Sequence, residues 1–234
     1  MLELIVYAPA FGLISGSPFA VKAMCMVANS GQEFRFNIQS DPRKQPKQKM
    51  PVLHHGTKII PDSDQIRDYL ESTFNLDFDA NLAPQQRATS RAIIRMIEEH
   101  LYFAIYANRW QGDKHWAITR EQFMGGAPKI IQVLVGNKIR KGAVQQLIGQ
   151  GMGRHSPKEQ LDRAQKDITA IADLLGSQKF LFGNAPTAAD YSVAPMLEAA
   201  HSFPIANGMT DLVEAHPNLL AYIKRAHEEF YPDA

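Results

Sequence analysis

The sequence holds a single cysteine, Cys25, so no disulfide can form within the chain and the fold rests on its core. A lone thiol fits a reducing compartment, and a cytoplasmic location is the expectation. Neither sign of charge dominates: 25 basic residues stand against 24 acidic ones, a net charge of +1. No global field therefore recruits nucleic acid or a membrane surface. A basic start followed by an apolar signal core is missing, and no apolar run reaches the roughly 20 residues that a bilayer-spanning helix needs. The eight histidines include the adjacent His54-His55, yet no His-x-x-x-His pair or cysteine cluster accompanies them, so no metal site is expected.

The 234 residues, 45% hydrophobic and 21% charged, have the balance of a globular protein with one large or two small domains. Residues 2–7 are short, apolar and partly β-branched, which predicts a buried strand. A loop with Pro9, Gly12 and Gly16 follows. Ser17-Pro18 then opens a helix, because serine caps well and proline suits the first helical position. Phe19, Ala23, Met26 and Val27 recur at helical spacing until Asn29-Ser30-Gly31 stops the pattern. Cys25 lies inside this helix and reads as a small buried apolar residue. Residues 33–38 alternate as a strand with Phe34, Phe36 or Ile38 toward one face. After 75–79 the period changes from two to helical and stays there, which separates an α/β domain over 1–78, whose order of strand, helix, strand, loop, hairpin and helix is that of a thioredoxin-like domain, from an all-helical domain over 79–234.

The stretch from Lys49 to Leu70 carries the sharpest chemistry. Met50-Pro51 enters a short strand through a proline, which cannot donate to a sheet and belongs at an edge or in a cis turn. A cis bond there leaves the Met50 N–H and C=O facing outward, able to pair with an extended peptide. A hairpin turn at His55-Gly56-Thr57 leads to a second strand, and a helix begins at Asp62-Ser63, where unpaired N–H groups favour a carboxylate. The two features together describe a docking edge for a short anionic peptide. Met50-Pro51 followed by Asp62-Ser63-x-x-Ile66 resembles the glutathione-binding signature of the glutathione transferases.

That resemblance implies glutathione as co-substrate, with Met50 and Pro51 as the backbone clamp and Asp62 and Ser63 gripping the γ-glutamyl end. Ser17 is the implied stabiliser of the thiolate, at a helix start whose dipole favours the anion; as a residue it also reads as a plain N-cap. Tyr7 is the rival hydroxyl, since other transferase classes use a tyrosine there. Lys49 or Lys47 of the basic loop 43–49 is the implied partner of the glycine carboxylate, while most of that loop reads as a solvated face. Ser17 and Ala20 stand where a disulfide exchanger needs cysteines, which excludes glutaredoxin-like chemistry.

Beyond Pro84, residues 85–110 carry an apolar stripe of helical period, broken by Glu98-Glu99-His100. Tyr106 and Trp110 are the candidate wall of a hydrophobic co-substrate pocket, with core packing as the alternative. Residues 128–147 predict a helix with Ile130, Ile131, Val133, Leu134 and Val144 buried. Gly149, Gly151 and Gly153 follow no strand, so they read as a tight bend rather than a phosphate cradle; Arg154-His155 beside it either pins the bend or faces the cleft. Ser156 with Glu159 and Thr187 with Asp190 have capping-box spacing, and His216-Pro217 opens a last helix. Ser17-Pro18-Phe19, 151–156 and 182–190 are similar to the failed-axon-connections and metaxin-like branch of the superfamily. The resemblance implies a homodimeric, detoxifying transferase acting on a small hydrophobic electrophile, or alternatively a non-catalytic protein using the same fold for protein contacts. Metaxins are tethered to a membrane, and the absence of a terminal apolar anchor predicts no membrane insertion here.

Overall fold

The computed structural model describes residues 1–232. Four strands and two helices form the first layer system: β1 (Leu2–Tyr7), α1 (Pro18–Ala28), β2 (Phe34–Gln39), β3 (Val52–His55), β4 (Lys58–Pro61) and α2 (Ser63–Phe74). The sheet order is β2-β1-β3-β4, with β2 parallel to β1 and the others antiparallel to their neighbours. This is the thioredoxin-like unit that the order of elements predicts. Alternation along β1 divides its side chains: Leu2, Leu4 and Val6 join the main core, while Ile5 and Tyr7 pack with Met50 and Val52 on the opposite face. Phe34 and Phe36 are half-buried against the main core, but Ile38 is 58% exposed.

The second unit is helical: α3 (Pro84–Met96), a π-helical turn (Ile97–Leu101), α4 (Tyr102–Trp110), α5 (Asp113–Met124), α6 (Lys129–Gln150), α7 (Pro157–Leu175), α8 (Ala188–His201), α9 (Gly208–Glu214) and α10 (Pro217–Glu229). α8 is its axis, apolar and buried on nearly every side. It packs against α1, so a single hydrophobic core spans both units. Both expected capping boxes form. Asp190, fully buried, accepts hydrogen bonds from the Leu181 and Thr187 N–H groups, from Thr187 Oγ1 and from the Tyr222 hydroxyl. The expected bend forms at Gly151, whose φ of 116° is left-handed, and Arg154 pins it by donating to the Ile148 carbonyl.

Three expectations change. The helix read over 85–110 is interrupted where Glu98 turns inward, and the π turn accommodates it. α5 forms without a clear apolar stripe, so helical period does not announce it. Ile130, Ile131, Val133 and Leu134 are exposed rather than buried, and Val144 is only half-buried. The inward face of α6 is instead Gln132, Gly136, Ala143 and Leu147, and a Cβ at Gly136 would sit 3.2 Å from the Trp116 ring and 3.3 Å from Arg120.

Candidate functional site

The Met50-Pro51 peptide is cis, as the strand-entry proline suggests. The Asp62 N–H donates to the Pro51 carbonyl at 3.2 Å, so the clamp and the start of α2 form one continuous edge. The Met50 carbonyl has no hydrogen-bond partner among the described residues. Asp62 holds a φ of 80°, which few side chains tolerate, and its carboxylate accepts from the Asp64 N–H at 3.0 Å. Ser63 follows as the first residue of α2, buried. Of the two loop lysines, Lys47 comes within 3.9 Å of Asp62. Lys49 stands exposed without a carboxylate partner among the described residues.

Ser17 caps α1, accepting from the Ala20 N–H at 3.4 Å, a long contact that leaves its hydroxyl proton uncommitted. Its loop is held by Ser15, which is fully buried and donates to the Tyr7 carbonyl at 2.9 Å. The two rival hydroxyls are thus fastened to one loop. Burial raises the Tyr7 phenol above its ordinary pKa, with the Met50 backbone opposing, so the phenol keeps its proton at neutral pH and can only donate to an anion.

The aromatic wall begins beside Ser17. The Phe19 ring meets Tyr102 at 4.7 Å, Tyr102 stacks on Tyr106 at 5.6 Å, and Tyr106 meets Trp110 at 5.3 Å. Tyr106 and Trp110 therefore lie on one ladder with the start of α1, joined to it through Tyr102. Burial pushes the Tyr102 phenol up to about 12, with Tyr7 adding to the effect, and raises Tyr106 further. Neither hydroxyl has a hydrogen-bond partner among the described residues. Phe123 of α5 closes the ladder, stacking on Trp110 at 6.1 Å and meeting Phe11 edge-on at 5.5 Å. A Cβ built at Gly16 would lie 2.6 Å from the Phe123 ring, so only glycine admits this approach next to Ser17. Under Phe11 lies the Arg109 guanidinium, 4.1 Å from its centroid and bonded to the Ala199 carbonyl at 2.7 Å.

A buried ion cluster ties the polar wall to the helical unit. Lys22, one turn into α1, donates to Asp64 at 2.7 Å and to Glu98 at 2.6 Å. Arg95 bridges the same carboxylates at 2.8 and 2.5 Å, Arg91 reaches Asp64 at 3.1 Å, and Ser192 of α8 donates to Glu98 at 2.8 Å. Burial alone would raise the Asp64 carboxyl, but Lys22, Arg95 and Arg91 outweigh it and hold the pKa below its ordinary value. Two positions from Asp62, this cluster sets where the turn sits relative to α3 and α8. Nothing in the sequence pairs Lys22 with Glu98; the one hint is a charge breaking the stripe of 85–110. A separate recess of about 340 Å³ lies at the far end of α1, lined by Asn29, Phe34 and Tyr231, away from these hydroxyls. Among the described residues no group of histidine, cysteine and acidic side chains could hold a metal ion.

Residues 18–115 match the Glutathione S-transferase N-terminal domain, and residues 142–225 the Glutathione S-transferase C-terminal domain. The isoprene-epoxide glutathione S-transferase of Rhodococcus sp. (strain AD45) is 31% identical over 98% of this chain and 99% of its own length. Failed axon connections of Drosophila melanogaster is 26% identical over 94% of this chain, which spans 56% of that protein. Metaxin-1 of Bos taurus is 24% identical over 99% of this chain and 75% of its own. Among solved structures, the beta-etherase of Sphingobium sp. strain SYK-6 superposes with a TM-score of 0.65 at 17% identity, covering 97% of this chain and 94% of that one. A transferase of Methylobacterium radiotolerans in complex with glutathione sulfonate superposes at 0.63 and 18% identity, covering 100% and 96%. The chain belongs to the glutathione S-transferase family, in the branch that includes failed axon connections and the metaxins.

Proposed function

We propose that this protein binds glutathione along the Met50-to-Ser63 edge and activates its thiol for attack on a small hydrophobic electrophile. The observation that carries the reading is the Asp62 N–H to Pro51 carbonyl bond, which joins an open backbone acceptor at Met50 to a helix N-terminus in one edge. The tripeptide backbone pairs with Met50, while Asp62 and Ser63 take its γ-glutamyl end and Lys47 or Lys49 its glycine carboxylate. Ser17, at the start of α1, donates to the sulfur anion and lowers the thiol pKa; Tyr7 is the second donor on the same loop. The electrophile lies against Tyr102, Tyr106 and Trp110.

An epoxide is the electrophile class that the unpaired Tyr102 and Tyr106 phenols suit, as the name of the Rhodococcus relative also suggests. Sulfur attacks a ring carbon, the C–O bond breaks, and the opened oxygen takes a proton from the Tyr102 or Tyr106 phenol, which solvent then restores. A detoxifying homodimer in the cytoplasm completes this reading; its assembly is checked by sedimentation. The second reading is a non-catalytic protein of this fold used for protein contacts. It is favoured by the Asp62 carboxylate already capping its own helix and by the similarity to failed axon connections.

Calorimetric titration with glutathione, on the parent and on Asp62→Ala, tests the proposal. Saturable binding is expected, weakened in the variant by about 1.5 to 3 kcal/mol, the worth of a charge-assisted hydrogen bond. No binding by the parent at millimolar glutathione sinks the transferase reading. Binding without turnover of any epoxide selects the second one.

A further inference from the structure

The tip of the hairpin made by α5 and α6 has no role in the site. Ile130 and Leu134 are 68% and 66% exposed, and Ile131, Val133, Val135 and Ile139 are each more than 40% exposed. Residues of this kind gain free energy when removed from water, so a surface this apolar marks a contact the chain does not supply. Charge on the same segment is of one sign. From residue 122 to residue 158 there is no aspartate or glutamate, while Lys129, Lys138, Arg140, Lys141, Arg154 and Lys158 all fall within it. Arg140 is engaged inside the fold, with Asp113 and with the Trp110 and Gln111 carbonyls. Lys129, Lys138 and Lys141 are exposed and unpaired among the described residues. The nearest acid not so engaged is Glu121, on α5.

The order along the helix matters. Ile130 and Leu134 precede Lys138 and Lys141 on one face, at intervals of four, four and three residues. With a rise of 1.5 Å per residue, Lys138 sits about 6 Å beyond Leu134 and about 12 Å beyond Ile130. That is an apolar end with a basic collar, at the spacing over which an interfacial helix sinks about 5–10 Å while its lysines reach back to the headgroups. A second copy of this chain fits poorly, since a two-fold contact sets like surfaces against each other and the segment 122–158 holds no acid to meet Lys129, Lys138 and Lys141. A protein groove takes one stripe of a helix. Here apolar residues at 130, 131, 133, 134 and 135 face three sides, which suits a fluid medium.

We propose that this hairpin tip docks on an anionic lipid surface, with Ile130, Ile131, Leu134 and Val135 entering the interface and Lys138 and Lys141 meeting the headgroups. No helix crosses the membrane in this arrangement, and none of the described helices is long and apolar enough to do so. The docking does not rest on the transferase reading. The near-neutral net charge of the whole chain is no obstacle, because the field that matters is local and falls off within a Debye length of about 8–10 Å.

Flotation of the full chain with vesicles of phosphatidylcholine alone, and of phosphatidylcholine with phosphatidylglycerol, tests this. Binding is expected to the anionic vesicles only and to weaken with salt. It should fall about tenfold or more in Lys138→Glu/Lys141→Glu and vanish in Ile130→Asp/Leu134→Asp. A Leu134→Trp variant gives a readout that needs no loss of function: its emission should shift blue on anionic vesicles and be quenched by brominated lipid. Failure to bind anionic vesicles overturns the proposal, as does binding unchanged by Ile130→Asp/Leu134→Asp. So does a concentration-dependent dimer that Ile130→Asp dissociates, which would make the tip an interface between copies.

Discussion

The polar wall of the site lies within one short segment, from Met50 to Ser63, whereas the aromatic wall gathers Phe11, Phe19, Tyr102, Tyr106, Trp110 and Phe123 from the β1–α1 loop and three helices. The first is held by backbone geometry, a bond from Asp62 to Pro51 and a cap at the start of α2. The second is held by ring packing, and it exists only if the helical unit is docked on α1. The ion cluster at Lys22 is the joint between them, touching the turn through Asp64 and the helices through Glu98. In the proposed function, recognition of a constant ligand stays local in sequence, while the wall assigned to the electrophile is assembled from distant elements.

The largest break should come at the joint. Lys22→Met takes the one fully buried cation from the cluster and leaves Glu98 with Arg95 alone and Asp64 with Arg95 and Arg91, and we expect a loss of about 3 to 5 kcal/mol by chemical denaturation. A loss below about 1 kcal/mol would mean that ring packing alone docks the two walls. Next in size is the thiol. Ser17→Ala should lower the glutathione-dependent rate about a hundredfold at saturating glutathione, with Tyr7→Phe smaller; the reverse order would transfer the role to Tyr7. On the aromatic wall, Tyr102→Phe keeps the ring and removes one donor while Tyr106 remains. A roughly three- to tenfold loss of rate toward epoxides is expected, with glutathione affinity unchanged by calorimetry.

The smallest effect is that of acid on the joint. Because the Asp64 pKa is depressed in the folded protein, its contribution is fully present above the unfolded value near 3.8 and is lost as pH falls from there through the folded value. Denaturation followed from pH 5 downward should show this slope in the parent. Asp64→Asn should flatten it.

Much of this was readable from the residues. Pro51 as a strand entry, Ser17-Pro18 as a helix start and the two capping boxes are local statements, in which one residue type meets one backbone requirement within a few positions. Lys22 shows where such reading ends: on its own it is a lysine at a buried position of an apolar helix, and its partners are 42 and 76 residues away. α6 shows it again, since helical period does not say which face turns inward; Gly136 takes the inner side where Trp116 and Arg120 need the room, and Gln132 because its amide donates to the Gly125 and Ala127 carbonyls.

By itself the sequence determined the strand and helix order, the edge at Met50-Pro51, the cap at Asp62-Ser63 and the serine at the start of α1, because each depends on neighbours in the chain. Only the tertiary structure decided that Tyr102 links Phe19 of α1 to Tyr106 and Trp110, that Phe123 leans on Gly16, and that Lys22 binds the two units. Those contacts join side chains far apart in sequence, and burial, which sets their energies, is a property of the packed whole.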